Sequence, residues 1–310
     1  MIYVQYDEAV REMAKGLSRF MGEEDAKHFA EIFAGNSLDG IYSHGMNRYP
    51  RYISDMESGL CDPKVTKAEK VGGFGALEVY DAHFGVGPLI AEQMTARAIE
   101  LAKALEKEGI DAFHISGGDH HTMIHQVSPM AINVCHNVWA AEAIKKHVHV
   151  PVIASGSITL PEYAEEILAS GKGDFVGLGR PLWADPEWPN KACSDHPEDI
   201  RPCIRCNEGC LERTFFNYKA VTCAVNPQIS REGELKIKPA EKPRTIAVIG
   251  AGAAGMEAAR VAKLRGHDVT IFEEKPIDGG LLNEAAAPEF KADIRDALKY
   301  LVTQVNKHGV

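Results

Sequence analysis

The sequence predicts an α/β chain: a mostly helical N-terminal segment, a run of parallel βα units, and a fresh βαβ unit behind a cysteine-rich stretch. Three observations carry this. Residues 7–34 and 87–109 space their apolar side chains at helical period, short apolar strands alternate with helices from residue 110, and TIAVIGAGAAG at 245–255 opens a new strand and turn.

The elements follow in order. Ala9, Val10, Met13 and Leu17 make one helical stripe, and Ala26, Phe29, Ile32 and Phe33 make another, divided near Gly22. Asp39-Gly40 marks a turn, a helix is expected from about Asn47 to Met56, and FGALEVYDA is strand-like. GPLIAEQMTARAIELAKALEKEG reads as a long amphipathic helix entered at Pro88 and left at Gly109. IDAFHIS, VPVIAS and DFVGLG read as buried parallel strands, with helices AINVCHNVWAAEAIKKH and PEYAEEILASG between them. REGELKIKPAEKP reads as a polar linker. The expected domains are therefore 1–106, 107–230 with the cysteines, a linker at 231–242, and 243–310.

Composition excludes some functions. Asp and Glu number 44 against 34 Lys and Arg, without a dense basic block, so a nucleic-acid partner is not expected. The N-terminus lacks the apolar core of a signal peptide, and no apolar run approaches the roughly 18 residues that span a bilayer. A cytoplasmic chain with no membrane partner is the expectation. In a reducing compartment, closely spaced cysteines serve as metal ligands or catalytic thiols rather than disulfides.

Four of the seven cysteines, Cys203, Cys206, Cys210 and Cys223, are spaced C-x2-C-x3-C-x12-C. Four thiolates complete either a [4Fe–4S] cluster or a tetrahedral zinc site, and the bunched-plus-distant layout favours the cluster over zinc. Cys61, Cys135 and Cys193 are isolated and read as small buried apolar residues. GAGAAG stands between a strand and a helix, with Glu273 about 20 residues on, which is the context of a dinucleotide-binding turn. There Gly250 makes the turn, Gly252 admits a pyrophosphate, Gly255 allows close helix packing, and Glu273 can accept from a ribose. SGSI at 155–158 and GLGRP at 177–181 follow adjacent strands and form a candidate phosphate cup with Arg180 as its cation. His114, His120, His121 and His125 read as a polar loop rather than a zinc site, because no acidic residue completes the His121/His125 pair. His44 beside Ser43, with Arg48 and Arg51, offers a proton donor and carboxylate clamps, though by composition the segment reads first as a polar loop and helix start.

IDAFHISGG, VPVIASGSI, DFVGLGRPLWADPEWPNKA and RPCIRCNEGC...CAVNP resemble the second half of the flavin barrel in the 2,4-dienoyl-CoA reductase and trimethylamine dehydrogenase branch of the old yellow enzyme family. The resemblance spans about 107–230 and continues through 243–310 into the start of that family's FAD-binding region, with GAGAAG and GGLLNEAAAP; Leu281 stands where the family commonly has Gln. It implies an FMN phosphate at Gly156, Ser157, Gly179 and Arg180, a [4Fe–4S] cluster on the four cysteines, and FAD at Gly250, Gly252, Gly255, Glu273 and Gly280. NSLDGIYSHGMNRYPRYI instead resembles the N-terminal part of the malate/L-lactate dehydrogenase type, which includes 2,3-diketo-L-gulonate reductase, and covers about 1–104. That resemblance implies His44 as acid/base and Arg48 as a substrate clamp.

The chain thus reads as a mosaic with a seam near ARAIELAKALEKEGID: a helical dehydrogenase-like segment, a partial (β/α) barrel half, a cysteine-rich segment and a truncated Rossmann-like βαβ unit. The implied function is an oxidoreductase that moves electrons from NAD(P)H through FAD, the cluster and FMN to a substrate double bond. Two alternatives stay open: an NAD(P)-dependent 2-hydroxyacid or diketogulonate-type dehydrogenase using His44, and a non-catalytic truncated or spliced chain that at most binds a cluster. A small-molecule substrate is expected, and because a half barrel exposes strand edges, a homo-oligomer or partner chain is expected to cover them unless the helical segment does.

Overall fold

The computed structural model describes residues 4–38, 45–74, 77–118, 123–194 and 196–310. These form two compact units, divided between Gly109 and Ile110.

In the first unit, helices α1 (Tyr6–Leu17) and α2 (Glu23–Leu38) bury the two apolar stripes, with Leu17, Ala26, Phe29, Ala30 and Phe33 at the centre of the core. A short turn of 3-10 helix at Met46–Arg48 leads into α3 (Tyr49–Glu57). The rings of Tyr52 and Tyr49 stand edge-on to Phe29 and Phe33, with centroids 5.2 and 5.9 Å apart. Each such pair adds about 0.5–1.5 kcal/mol beyond area burial. Strand β1 (Glu69–Phe74) pairs antiparallel with β2 (Leu77–Asp81), and a register shift between Lys70 and Gly72 marks a bulge. Sequence reading placed a strand only near β2, because the glycines of EKVGGF weaken strand propensity; pairing with β2 supplies the missing preference. Helix α4 (Gly87–Lys107) closes the unit.

The second unit opens with β3 (Phe113–Ile115), the short α5 (Met123–Gln126), α6 (Val138–Lys145) and β4 (Val152–Ser155). It continues through α7 (Pro161–Ala169), β5 (Phe175–Gly177), α8 (Arg180–Ala184) and α9 (Trp188–Ala192). The three strands lie in the order β3-β4-β5, all parallel, so both glycine-bearing turns leave the same end of the sheet. Among the described residues this arc does not close into a barrel. Helix α6 is shorter than the expected 131–147. The Ile132 and Pro129 carbonyls accept instead from the Arg205 guanidinium, and Cys135 adopts φ 57°, so tertiary bonding overrides the helical pattern there.

After an irregular stretch at 201–207, residues Glu208–Phe216 form a π-helix. The expected linker at 231–242 carries no helix or strand. Then β6 (Thr245–Ile249), α10 (Ala253–Leu264) and β7 (Asp268–Phe272) make a parallel βαβ unit, followed by α11 (Leu282–Ala285) and α12 (Ala292–Lys307), which packs on α10. No helix among the described residues is long and apolar enough to cross a membrane.

Candidate cofactor sites

The turn after β4 is the first site. Gly156 sits at φ 122°, and a Cβ there would come within 2.9 Å of the Asn137 side chain, so glycine is required by both conformation and space. Ser157 follows at φ 55° and shares a 2.5 Å hydrogen bond between its Oγ and that of Ser128. Arg180, at the start of α8, donates from Nη2 to Ser157 Oγ at 2.8 Å and from Nη1 to Ser128 O at 2.8 Å. Burial pulls the Arg180 pKa below its ordinary value, and the facing thiols of Cys203 and Cys210 oppose that shift. Gly156, Ser157, Gly179 and Arg180 all border one cavity of about 400 Å³, with His114 of β3 on its wall. The structure therefore brings together all four residues of the expected phosphate cup, and a cation with a serine hydroxyl is a donor set suited to a phosphate.

The cysteine loop lies against that cavity. Two non-glycine residues around Cys206, Arg205 and Asn207, hold left-handed backbone at φ 47° and 61°, and such conformations persist only where surrounding structure fixes them. The Arg205 N–H points at Cys203 Sγ at 3.4 Å, and the backbone N–H groups of Glu208 and Leu211 lie against the sulfurs of Cys206 and Cys210. Gly209 packs its backbone on Thr222, whose carbonyl a Cβ would meet at 2.4 Å, and that contact brings Cys223 beside the other three. All four thiols line a single cavity of about 20 Å³. Burial pushes the Cys203 thiol up to about 11 and raises those of Cys206 and Cys210, so as free groups they stay protonated at neutral pH. A bound metal centre reverses that, because ligation deprotonates a thiol. Among the described residues, no group of three or more His, Cys, Asp or Glu side chains is arranged to hold a metal ion as it stands.

The glycine-rich turn is the third site. Gly250 adopts φ 94°, and a Cβ on Gly255 would lie 2.0 Å from the Gly250 carbonyl oxygen, so the close packing of α10 on β6 requires glycine at 255. Glu273 accepts the Ala251 N–H at 2.6 Å and the Lys275 N–H at 2.9 Å, which hold its carboxyl below the usual range. It braces the turn from within. Gly279 also bonds the turn, donating to the Ala251 carbonyl at 2.8 Å, and Gly280 lies against Gly252. A cavity of about 490 Å³ opens between the first residues of α10, Leu282, Tyr300 of α12 and Cys223.

The remaining expectations divide. His44, His120 and His121 lie outside the described residues. Arg48 ends the 3-10 turn, and Arg51 is paired with Asp55 at 2.9 Å. Of the isolated cysteines, Cys61 is buried as expected, Cys135 is half-buried, and Cys193 is exposed, which corrects its reading as a core residue. Sequence reasoning missed Asn207, Arg205 and Asp293, the polar residues that tie the cysteine loop to its surroundings. The only signal was their placement, two inside the cysteine spacing and one at the start of a helix.

Comparison with known proteins sorts the segments. Residues 4–134 match the malate/L-lactate dehydrogenase family, residues 81–199 the NADH:flavin oxidoreductase / NADH oxidase family, and residues 248–299 an NAD(P)-binding Rossmann-like domain. The chain is a mosaic of segments that match these three families. The first two matches of the mosaic overlap at 81–134, where α4 is followed by β3. A metal reductase of Desulforamulus reducens is 50% identical over 210 residues, covering 67% of this chain and 31% of that protein. An NADH oxidase of Thermoanaerobacter brockii is 42% identical over 212 residues, covering 68% and 33%. A 2-naphthoyl-CoA reductase complex superposes with a TM-score of 0.64 at 33% identity, covering 68% of this chain and 32% of that one. The mosaic spans about a third of the length of these relatives.

Proposed function

We propose that residues 110–310 are the electron-handling segment of a flavin- and iron–sulfur-dependent NAD(P)H oxidoreductase of the enoate-reductase kind. The observation that carries this reading is a shared wall: Arg180, Cys203 and Cys210 each border both the 400 Å³ cavity and the cysteine cavity. Relatives named NADH oxidase and cinnamate reductase, 42% and 41% identical, support the reaction class.

On this reading Cys203, Cys206, Cys210 and Cys223 hold a [4Fe–4S] cluster. Four thiols on one cavity, three of them bunched within eight residues and the fourth further along the chain, suit a cluster. When bound, the cluster supplies one-electron transfer between FAD and FMN, so that NAD(P)H can reduce an activated double bond. The backbone N–H groups on the sulfurs stabilise thiolate charge and tune the site. Arg180 balances the FMN phosphate, Ser157 orients the guanidinium, and the left-handed turn at Gly156–Ser157 lets backbone approach the anion. Gly250, Gly252, Gly255 and Gly280 leave room for a pyrophosphate, with Glu273 holding the turn's shape and keeping lone pairs for a ribose.

Anaerobic purification followed by assay of iron, sulfide, flavin and visible absorption tests the proposal. Iron and sulfide in equal amounts, with broad visible absorption and FMN, is the expected result; a colourless or zinc-only protein overturns it. The match of residues 4–134 favours a second reading, a 2-oxoacid reductase using His44. A colourless protein that reduces a 2-oxoacid with NADH, and loses this on His44→Ala, would establish it instead.

A further inference from the structure

Asn207 lies between Cys206 and Cys210, yet its side chain bonds outside the cysteine loop. Its Oδ1 accepts from Arg180 Nη1 at 2.5 Å, and its Nδ2 donates to the Val127 carbonyl at 2.7 Å. The same Arg180 reaches Ser128 O and Ser157 Oγ, both at 2.8 Å. Asn207, Arg180 and Ser157 therefore form one continuous hydrogen-bonded relay from the cysteine loop to the turn after β4. Asn207 is held at φ 61° and ψ 2°, a left-handed conformation that Asn and Gly tolerate best. Its carboxamide is thus placed by the backbone of the loop. Whatever orders that loop also fixes the acceptor that orients Arg180.

We propose that Asn207 is a positioning residue that couples occupancy of the four-cysteine site to binding of a phosphomonoester at the Ser157–Arg180 cup. A filled loop presents the Asn207 carboxamide in one place, and the guanidinium meets the phosphate already oriented. An empty loop leaves Arg180 with one fewer constraint, and the anion must order it at the expense of binding energy. Coupling of this kind is reciprocal, so the phosphate also favours a filled loop. The inference rests on the reading of the two sites given above.

The test measures the Kd of FMN and of riboflavin anaerobically, on the cluster-reconstituted chain and on the same chain stripped by chelation. Riboflavin lacks the phosphate and reports any coupling that does not pass through Arg180. The expected result is that cluster loading tightens FMN by between about 5- and 150-fold, with riboflavin unmoved. Asn207→Gly keeps the left-handed backbone without strain and deletes the carboxamide. In that variant FMN should respond no more than riboflavin while iron content is retained. Asn207→Asp gives up the amide donor to the Val127 carbonyl but keeps an acceptor for Arg180, and should keep the coupling. If Asn207→Gly fails to take up iron, Asn207→Asp decides: coupling retained supports the relay, and coupling lost overturns it. Undiminished coupling in iron-loaded Asn207→Gly, or equal effects on FMN and riboflavin, overturns the inference. A chain that binds both groups independently overturns it alone, whereas a chain that binds neither overturns the functional reading with it.

Discussion

Arg205 and Asp293 form a buried ion pair, 4% and 6% exposed, with Arg205 Nε donating to Asp293 Oδ2 at 2.8 Å and Nη2 to Oδ1 at 3.3 Å. One member lies inside the cysteine spacing and the other at the start of α12. The remaining guanidinium nitrogen, Nη1, donates to the Ile132 carbonyl at 2.5 Å and the Pro129 carbonyl at 3.3 Å, so one side chain joins three segments. Arg205→Ala leaves a carboxylate buried without its partner, and such changes cost about 3–5 kcal/mol. The double variant Arg205→Met/Asp293→Leu removes both charges and should recover much of that loss. Urea unfolding, with hydrogen exchange read over residues 292–307, measures both.

The cysteine site makes a separate prediction. Cys203→Ser and Cys210→Ser should each lower the iron and sulfide taken up on anaerobic reconstitution, whereas Cys193→Ser, at an exposed position outside the spacing motif, should leave uptake unchanged. Gly209→Ala should also reduce uptake with every thiol intact, because the added Cβ would meet the Thr222 carbonyl at 2.4 Å and force Cys223 away. Iron and sulfide assays on the four variants check this.

Acid should weaken the small sheet of the second unit through Asp174. Its carboxylate accepts from Lys145 Nζ and from the Val152 N–H, each at 2.8 Å, and these bonds hold its pKa below the ordinary value. The folded pKa is depressed, so the contribution is fully present above the unfolded value of about 3.9 and is lost as pH falls through the folded one. Asp174→Ala should therefore lose stability at pH 7 and show a shallower acid limb than the parent. Thermal melts between pH 2 and 7 measure the difference, and parallel acid limbs would remove Asp174 from the account.

The glycine-rich turn predicts a steric effect independent of any cofactor. Gly255→Ala places a Cβ 2.0 Å from a backbone oxygen, so α10 must move off β6, at a cost of about 1–3 kcal/mol. Gly233→Ala, where an added Cβ meets nothing within 4 Å, is the matched control and should be near neutral. Thermal denaturation followed by circular dichroism compares the two.

Periodicity and spacing by themselves determined much of this protein. The α1 and α2 stripes, the three parallel strands, the βαβ unit and the cysteine spacing were all legible, because each is written in neighbouring residues whose period or turn chemistry is local. Only the tertiary structure decided that residues 131–137 leave the helix pattern, since the carbonyls that would extend it are claimed by Arg205, some 70 residues on. It likewise decided that Glu273 braces the glycine turn and that Asn207 reaches Arg180. A hydrogen bond between distant segments depends on where the chain returns in space, and no local period records that return.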